Sequence, residues 1–161
     1  MQVHSFNDTE GLRIAVEIEK RGEAFYLKAA KLSDNPQTVR ILEQLASDEA
    51  VHKHEFEKLV ERASVSDEMY DEETNAYLSA IAADIVFPEG LMALRRTGFT
   101  SPEGAILQAI QSEKDSILFY TELAEHAFDA EAKRMFREII MQERRHMNVL
   151  QNRLEEISVE G

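Results

Sequence analysis

Two short motifs in the sequence could bind metal ions. In "EAVH", Glu49 lies three residues before His52. In "ERRH", Glu143 lies three residues before His146. Residues three apart share one face of a helix, so the glutamate and the histidine of each motif can reach one point. Both motifs interrupt an apolar stripe of helical spacing, which predicts that these side chains face the protein core.

Two further glutamates also interrupt apolar stripes. Glu19 precedes Glu49 by a set interval, and Glu113 precedes its own downstream motif by the same interval. Each of these glutamates is followed after the same step by a tyrosine, Tyr26 in "EKRGEAFY" and Tyr120 in "EKDSILFY". The two halves of the chain therefore read as copies of one helical hairpin.

The intervals also place these residues along each hairpin. The midpoint between Glu19 and Glu49 is Asp34, in a predicted turn, and the corresponding midpoint in the second half is Phe128. Residues equidistant from the turn of an antiparallel hairpin lie at the same height. Packing of the two hairpins about a pseudo-twofold axis would therefore bring four carboxylates and two imidazoles into one layer.

Four amphipathic patterns predict the helices that would carry this layer. The predicted helices span residues 9–33, 36–63, 102–127 and 130–157. Asp34 or Asn35 is suited to cap the second helix, with Pro36 in its first turn. Ser101 and Pro102 are suited to start the third in the same way.

Short loops within each pair of helices predict antiparallel hairpins, and the longer middle segment predicts a crossover. One short helix, "NAYLSAIAADIV" at 75–86, is expected within that crossover. The predicted fold class is all-α, a four-helix bundle. We expect a single domain over 1–161, made of a hairpin at 9–63, a crossover at 64–104 and a hairpin at 105–157.

Composition excludes several classes of function. The formal net charge of -13 argues against nucleic acid or an anionic membrane surface as a partner. With 0 Cys, the chain can form no disulfide, thiolate zinc site or iron-sulfur cluster. The amino terminus lacks a basic segment followed by an apolar one, and no apolar run is long enough to span a bilayer. The chain is expected to be soluble and cytoplasmic.

A buried layer of four carboxylates needs a source of positive charge. Burying one ionised carboxylate costs several kcal/mol, and the four would also repel one another. No lysine or arginine occupies the matching stripe positions, whereas two divalent cations would balance four carboxylates. Mixed carboxylate and imidazole ligands suit iron or manganese better than calcium, magnesium or structural zinc.

The segments "EKRGEAFY", "SDEAVHKHEF", "EKDSILFY" and "QERRHMNVL" resemble the ferritin-like domain of rubrerythrins, and the resemblance extends over nearly the whole chain. It implies a di-iron carboxylate protein with two iron ions per site, and manganese is the alternative metal. The implied metal ligands are Glu19, Glu49, His52, Glu113, Glu143 and His146. The resemblance also implies that Tyr26 and Tyr120 are active-site residues that hydrogen-bond ligand carboxylates.

The chain departs from the rubrerythrin pattern in two ways. The family typically adds a rubredoxin-like module with four cysteines, and this chain has no cysteine. Classical members also have a further glutamate one turn after the third-helix ligand, where this chain has Ser116. Glu23 in the first helix is a candidate to replace that glutamate in part.

The leading functional hypothesis is reduction of hydrogen peroxide, with electrons from an external donor such as a separate rubredoxin or a flavoprotein. Because the middle segment is long, we expect a homodimer, in which helices could be exchanged between subunits.

Two alternatives to this hypothesis stay open. One is ferroxidase activity with iron storage, as in bacterioferritins. Those proteins bind haem through a methionine next to the second-helix ligand, and here Ala50 has that place, so no haem is expected. The other is a bundle whose metals are purely structural or absent.

Overall fold

The computed structural model describes residues 5–62, 67–85 and 101–160. Within these ranges the chain forms five α-helices and no strand. They are α1 (Asp8–Leu32), α2 (Pro36–Val60), α3 (Glu72–Ile85), α4 (Pro102–His126) and α5 (Ala130–Glu160). None of the helices in these ranges has both the length and the apolar character needed to cross a membrane.

The helix starts follow from local capping chemistry. Asn35 caps α2, since its side-chain oxygen accepts hydrogen bonds from the backbone N–H groups of Gln37 and Thr38. Ser101 caps α4 by accepting from the N–H of Gly104. Each of these caps is followed by a proline in the first helical turn, where its missing N–H costs nothing. Both caps were predicted, and the structure selects Asn35 over Asp34.

Some predicted boundaries were wrong. Helix α3 begins at Glu72 rather than Asn75, because the Asp71 carboxylate accepts a hydrogen bond from the backbone N–H of Thr74 at 2.8 Å. Hydrogen bonds from Thr74 lower the pKa of Asp71, which keeps this cap ionised. Helix α2 ends at Val60, short of residue 63, and α5 extends to Glu160, beyond residue 157. Residues 63–66 and 86–100, which include part of the predicted crossover and the predicted end of its helix, lie outside the described residues.

The helices pack as two hairpins. Helix α1 lies along α2, and α4 lies along α5. The hairpins contact each other through α1 with α4 and through α2 with α5, while α3 packs on α4. This arrangement confirms the predicted all-α four-helix bundle.

Two separate apolar clusters form the core. The aromatic cluster lies where α1 and α5 begin and where α2 and α4 end, and includes Phe6, Leu12, Phe56, Leu59, Phe119, Leu123 and Phe136. The alanine-rich cluster lies at the opposite ends of the same helices and includes Ala29, Ala30, Leu42, Leu45, Ala46, Ala105, Ala109 and Leu150. Full burial of one large apolar side chain contributes about 1.5–3 kcal/mol, so both clusters stabilise the bundle.

A buried carboxylate joins the two hairpins at one end. Asp8, in the first turn of α1, accepts a hydrogen bond from the Tyr70 hydroxyl at 2.6 Å. It also accepts from the backbone N–H groups of Phe128, at 3.0 Å, and of Asp129, at 2.7 Å. Asp8 therefore connects the first hairpin to the loop between α4 and α5. Its charge is satisfied by these donors, as a buried charge requires.

Candidate metal centre

The six predicted ligand side chains lie together in the layer between the two apolar clusters. All six are buried, with exposed fractions from 0% for Glu19 to 4% for His146. The four helices α1, α2, α4 and α5 of one chain supply them, with Glu19 on α1 and Glu113 on α4. This convergence follows from the equal intervals within the hairpins, because each hairpin turns at the predicted midpoint.

The cluster consists of two overlapping groups. In each, one possible ligand atom per residue lies within 4.8 Å of the others. The first group is Glu19, Glu49, His52 and Glu143, and the second is Glu49, Glu113, Glu143 and His146. Glu49 and Glu143 belong to both groups. The arrangement thus offers two adjacent cation positions, each with three carboxylates and one imidazole.

Both histidines turn the same ring nitrogen towards the carboxylates. His52 Nδ1 lies 2.9 Å from Glu143 Oε1. His146 Nδ1 lies 3.0 Å from Glu49 Oε1 and 3.4 Å from Glu113 Oε1. The two rings stack with centroids 5.8 Å apart and an interplanar angle of 17°. The nearest carboxylate of each imidazole therefore belongs to the other hairpin.

The opposite ring nitrogens have partners that the sequence analysis missed. His52 Nε2 lies 2.6 Å from the amide oxygen of Gln142, and His146 Nε2 lies 3.1 Å from a carboxylate oxygen of Asp48. These partners hold the proton on Nε2 and leave Nδ1 free to bind a cation. A sequence signal existed, because each partner immediately precedes the glutamate of an ExxH motif.

The two tyrosines make reciprocal contacts between the hairpins. The Tyr26 hydroxyl donates to Glu113 Oε1 at 2.5 Å, and the Tyr120 hydroxyl donates to Glu19 Oε1 at 3.0 Å. Burial raises the pKa of both tyrosines well above its ordinary value, and the nearby glutamates raise it further. Both hydroxyls therefore stay protonated and act as donors.

The pKa values of the cluster residues are shifted because several carboxylates lie close together away from water. Burial raises the pKa of Glu49 well above its ordinary value, and repulsion from Glu19 and Glu143 raises it further. Burial acts in the same direction on Glu143, but the adjacent imidazoles of His146 and His52 outweigh it and lower the pKa of Glu143. Burial favours neutral His52, yet the adjacent carboxylates of Glu143 and Glu19 raise the pKa of His52 to about 10. Without metal, the cluster holds protons in place of cations.

Unpaired atoms support the fit of a metal to this cluster. Each of the six residues has one buried atom with no partner in hydrogen-bonding geometry, although both imidazole Nδ1 atoms lie close to carboxylate oxygens, at 2.9 Å for His52 and 3.0 Å for His146. These atoms are Glu19 Oε2, Glu49 Oε1, His52 Nδ1, Glu113 Oε2, Glu143 Oε1 and His146 Nδ1. Leaving one buried polar atom unpaired costs about 1–3 kcal/mol, so six in one place indicate that a ligand satisfies them. Carboxylate oxygens and imidazole nitrogens are a donor set that fits iron or manganese.

A glycine makes room for one shared carboxylate. A Cβ atom at Gly22 would lie 2.9 Å from Glu49 Oε2, closer than side-chain atoms normally approach. The sequence motifs did not single out Gly22. Its role in positioning Glu49 becomes visible only in the packed hairpin.

Glu23 and Ser116 lie outside the two groups. Glu23 Oε1 lies 3.5 Å from the ammonium of Lys53, and the Glu23 side chain is partly exposed. The Ser116 hydroxyl donates to the backbone carbonyl of Ser112 at 3.0 Å. In this arrangement Glu23 faces a lysine and does not complete the cluster.

Comparison with known structures identifies similar folds. A protein from Thermotoga maritima, described as a ferritin-like diiron-carboxylate protein, is 24% identical with a TM-score of 0.71, covering 96% of this chain and 99% of that one. A hypothetical protein from Pyrococcus furiosus is 22% identical with a TM-score of 0.67, covering 93% and 89% of the two chains. At these identities the likeness concerns the fold.

Sequence comparison extends this result. No curated protein matches the chain significantly. The family model for rubrerythrin matches residues 10–154, which include every side chain of the cluster. Because the match spans nearly all of the sequence, this chain belongs to the rubrerythrin family.

Proposed function

We propose that this protein is a di-iron oxidoreductase that reduces hydrogen peroxide with electrons from an external donor. The observation that carries the proposal is the pair of overlapping buried groups, each with three carboxylates and one imidazole. Membership of the rubrerythrin family supports iron as the metal and a redox reaction as the chemistry.

The ligand roles follow from the membership of the two groups. Glu19 and His52 would serve one metal, and Glu113 and His146 would serve the other. Glu49 and Glu143 would contact both metals, because each belongs to both groups. Two divalent cations then balance the charge of the four carboxylates, which removes the main cost of burying them.

When bound, two ferrous ions supply the two electrons that reduce hydrogen peroxide, with two protons, to two molecules of water. The residues of the chain prepare the site for this reaction. Tyr26 and Tyr120 hold Glu113 and Glu19 in place by donating hydrogen bonds. The apolar clusters on either side of the layer exclude bulk water, which strengthens electrostatic interactions within it.

Electrons must come from another molecule in this proposal. The chain has 0 Cys and so cannot itself hold a rubredoxin-type iron centre. We propose a separate rubredoxin or a flavoprotein as the donor, and a homodimer as the working assembly. One chain supplies all six cluster residues, so exchange of helices between subunits is not needed to complete the cluster.

Anaerobic stopped-flow kinetics tests the reaction. The full-length protein is loaded with Fe(II), and the rate of its oxidation is measured separately with hydrogen peroxide and with oxygen. We expect peroxide to oxidise the bound iron faster than it oxidises free Fe(II), faster than oxygen does, and with one peroxide consumed per two iron ions. Oxidation no faster than that of free Fe(II) would reject the proposal.

Two histidines on α2 offer a matched control. His52→Ala should abolish the fast phase, because it removes a cluster ligand, whereas His54→Ala should retain it, because His54 is exposed on the same helix. A faster reaction with oxygen, iron uptake far beyond two ions per chain and sedimentation as a hollow multi-subunit shell would instead indicate ferroxidase activity and storage. Sedimentation as a dimer agrees with the proposed enzyme.

A further inference from the structure

The two cluster histidines differ in the group that holds their outer nitrogen. His146 Nε2 lies 3.1 Å from a carboxylate oxygen of Asp48, whereas His52 Nε2 lies 2.6 Å from an amide oxygen of Gln142. Asp48 and Gln142 have equivalent positions in the two hairpins, each directly before the glutamate of its ExxH motif. The repeat therefore places an anionic acceptor on one imidazole and a neutral acceptor on the other.

The other described contacts of the two rings are alike. Both rings direct Nδ1 towards carboxylates, at closest distances of 2.9 Å for His52 and 3.0 Å for His146. Both side chains are buried, and the two rings lie nearly parallel. The acceptor on Nε2 is thus the clearest chemical difference between the two halves of the cluster.

Asp48 is held in place for this contact. Its second carboxylate oxygen accepts a hydrogen bond from the amide of Gln44, one turn earlier on α2, at 3.0 Å. This bond orients the carboxylate and leaves Oδ2 for His146. The Asp48 side chain is 37% exposed, so little desolvation free energy is lost in placing the carboxylate here.

The two acceptors act differently on a metal-bound imidazole. A carboxylate that accepts the Nε2 proton draws that proton towards itself and increases the electron density that the ring can donate through Nδ1. A neutral amide oxygen does this less, because the hydrogen bond is not assisted by charge. A more basic imidazole binds a cation more tightly and stabilises the higher oxidation state of a redox metal.

We propose that Asp48 and Gln142 are positioning residues that make the two metal positions unequal. The position formed with Glu113 and His146 binds a divalent metal more tightly than the position formed with Glu19 and His52. It also favours the oxidised form of a bound iron more strongly. This inference rests on the proposed function, since it assumes that the cluster binds two metal ions.

Titration with Co(II), a divalent ion with visible absorption bands, tests the proposal on the full metal-free protein. Calorimetry and absorbance should resolve two binding steps of unequal affinity. Asp48→Asn should weaken the tighter step by about 10-fold to 100-fold, the usual range for loss of such a partner, and bring the two affinities together. Gln142→Glu should strengthen the weaker step and also bring them together.

Asp115→Asn serves as a matched control for loss of one negative charge. Asp115 accepts a hydrogen bond from Gln111 at 3.0 Å in the same spacing as the Gln44 and Asp48 pair. The described partners of both outer histidine nitrogens are other residues. Asp115→Asn should therefore leave the two Co(II) steps separated.

Proton NMR of the Co(II)-loaded protein assigns each step to its histidine. Two exchangeable imidazole N–H signals are expected in the region shifted by the paramagnetic metal. Asp48→Asn should move one of them, and Gln142→Glu should move the other. If the wild-type protein binds two Co(II) ions but Asp48→Asn changes neither affinity nor signal, the inference is rejected and the metal site stands. If the wild-type protein binds fewer than two, the proposed metal site is rejected together with the inference.

Discussion

The two hairpins contribute the same set of candidate metal ligands but differ in the residues around them. The α1–α2 hairpin contributes Glu19, Glu49 and His52, and the α4–α5 hairpin contributes their counterparts at the same intervals. Beside the cluster, however, the first hairpin has Gly22 where the second has Ser116. The candidate ligands and their tyrosine partners thus repeat, while other positions beside the cluster do not.

The same contrast extends to the edge of the cluster. The first hairpin has an ion pair between Glu23 and Lys53, with 3.5 Å between Oε1 and Nζ. At the equivalent positions the second hairpin has Ile117 and Met147, which pack against the two apolar clusters. The comparison indicates that the identities of the cluster residues are constrained, because burying carboxylates without balancing positive charge costs free energy. Neighbouring positions need only fill space, so they can diverge and tune each half separately.

The largest expected effect distinguishes the shared carboxylates from the unshared ones. Glu49→Gln or Glu143→Gln should reduce bound iron from two ions per chain to nearly none, because each residue belongs to both groups. Glu19→Gln or Glu113→Gln should leave one ion, because each belongs to a single group. Metal analysis of the purified variants measures this difference. Equal iron retention in all four variants would contradict the assignment of shared and unshared ligands.

An intermediate effect is expected at the glycine of the first hairpin. Gly22→Ala should weaken metal binding by about 10-fold to 100-fold, since its Cβ would displace the Glu49 carboxylate from a contact of 2.9 Å. The measurement is a Co(II) titration of the metal-free protein. Ser116→Ala, the corresponding change in the second hairpin, should have little effect on affinity, because Ser116 hydrogen-bonds its own helix.

Gly11→Ala is the matched control for crowding. Its Cβ would lie 2.8 Å from the Leu123 side chain, away from the carboxylates, so it should lower stability by about 1–3 kcal/mol without changing metal affinity. Urea denaturation measures the stability. If Gly11→Ala and Gly22→Ala weaken metal binding equally, the effect at Gly22 is one of general packing.

The smallest effect is expected at the ion pair on the edge of the cluster. Glu23→Gln should change the free energy of unfolding by about 1 kcal/mol or less, because the pair with Lys53 is partly exposed. Its metal content should equal that of the wild-type protein. Glu17→Gln, which removes the pair with Arg21 on the same helix, is the control. Loss of iron in Glu23→Gln alone would show that Glu23 is a ligand after all.

The sequence by itself determined the helices, their pairing into hairpins and the composition of the buried cluster. Helical spacing places Glu49 and His52 on one face, and equal intervals from the turn set the height of Glu19 beside them. These features depend on short-range geometry, which the chain encodes locally. The start of α3 was missed because the sequence analysis began this helix at Asn75, although the Asp71 carboxylate caps it.

Only the tertiary structure decided which side chains meet between the hairpins. In the folded protein, Tyr26 hydrogen-bonds Glu113 and Tyr120 hydrogen-bonds Glu19. The Asp48 carboxylate contacts His146 Nε2, and Glu23 forms an ion pair with Lys53. These contacts depend on the rotation and spacing of one hairpin against the other. That geometry is set by packing of the whole core, and no periodicity within a single helix specifies it.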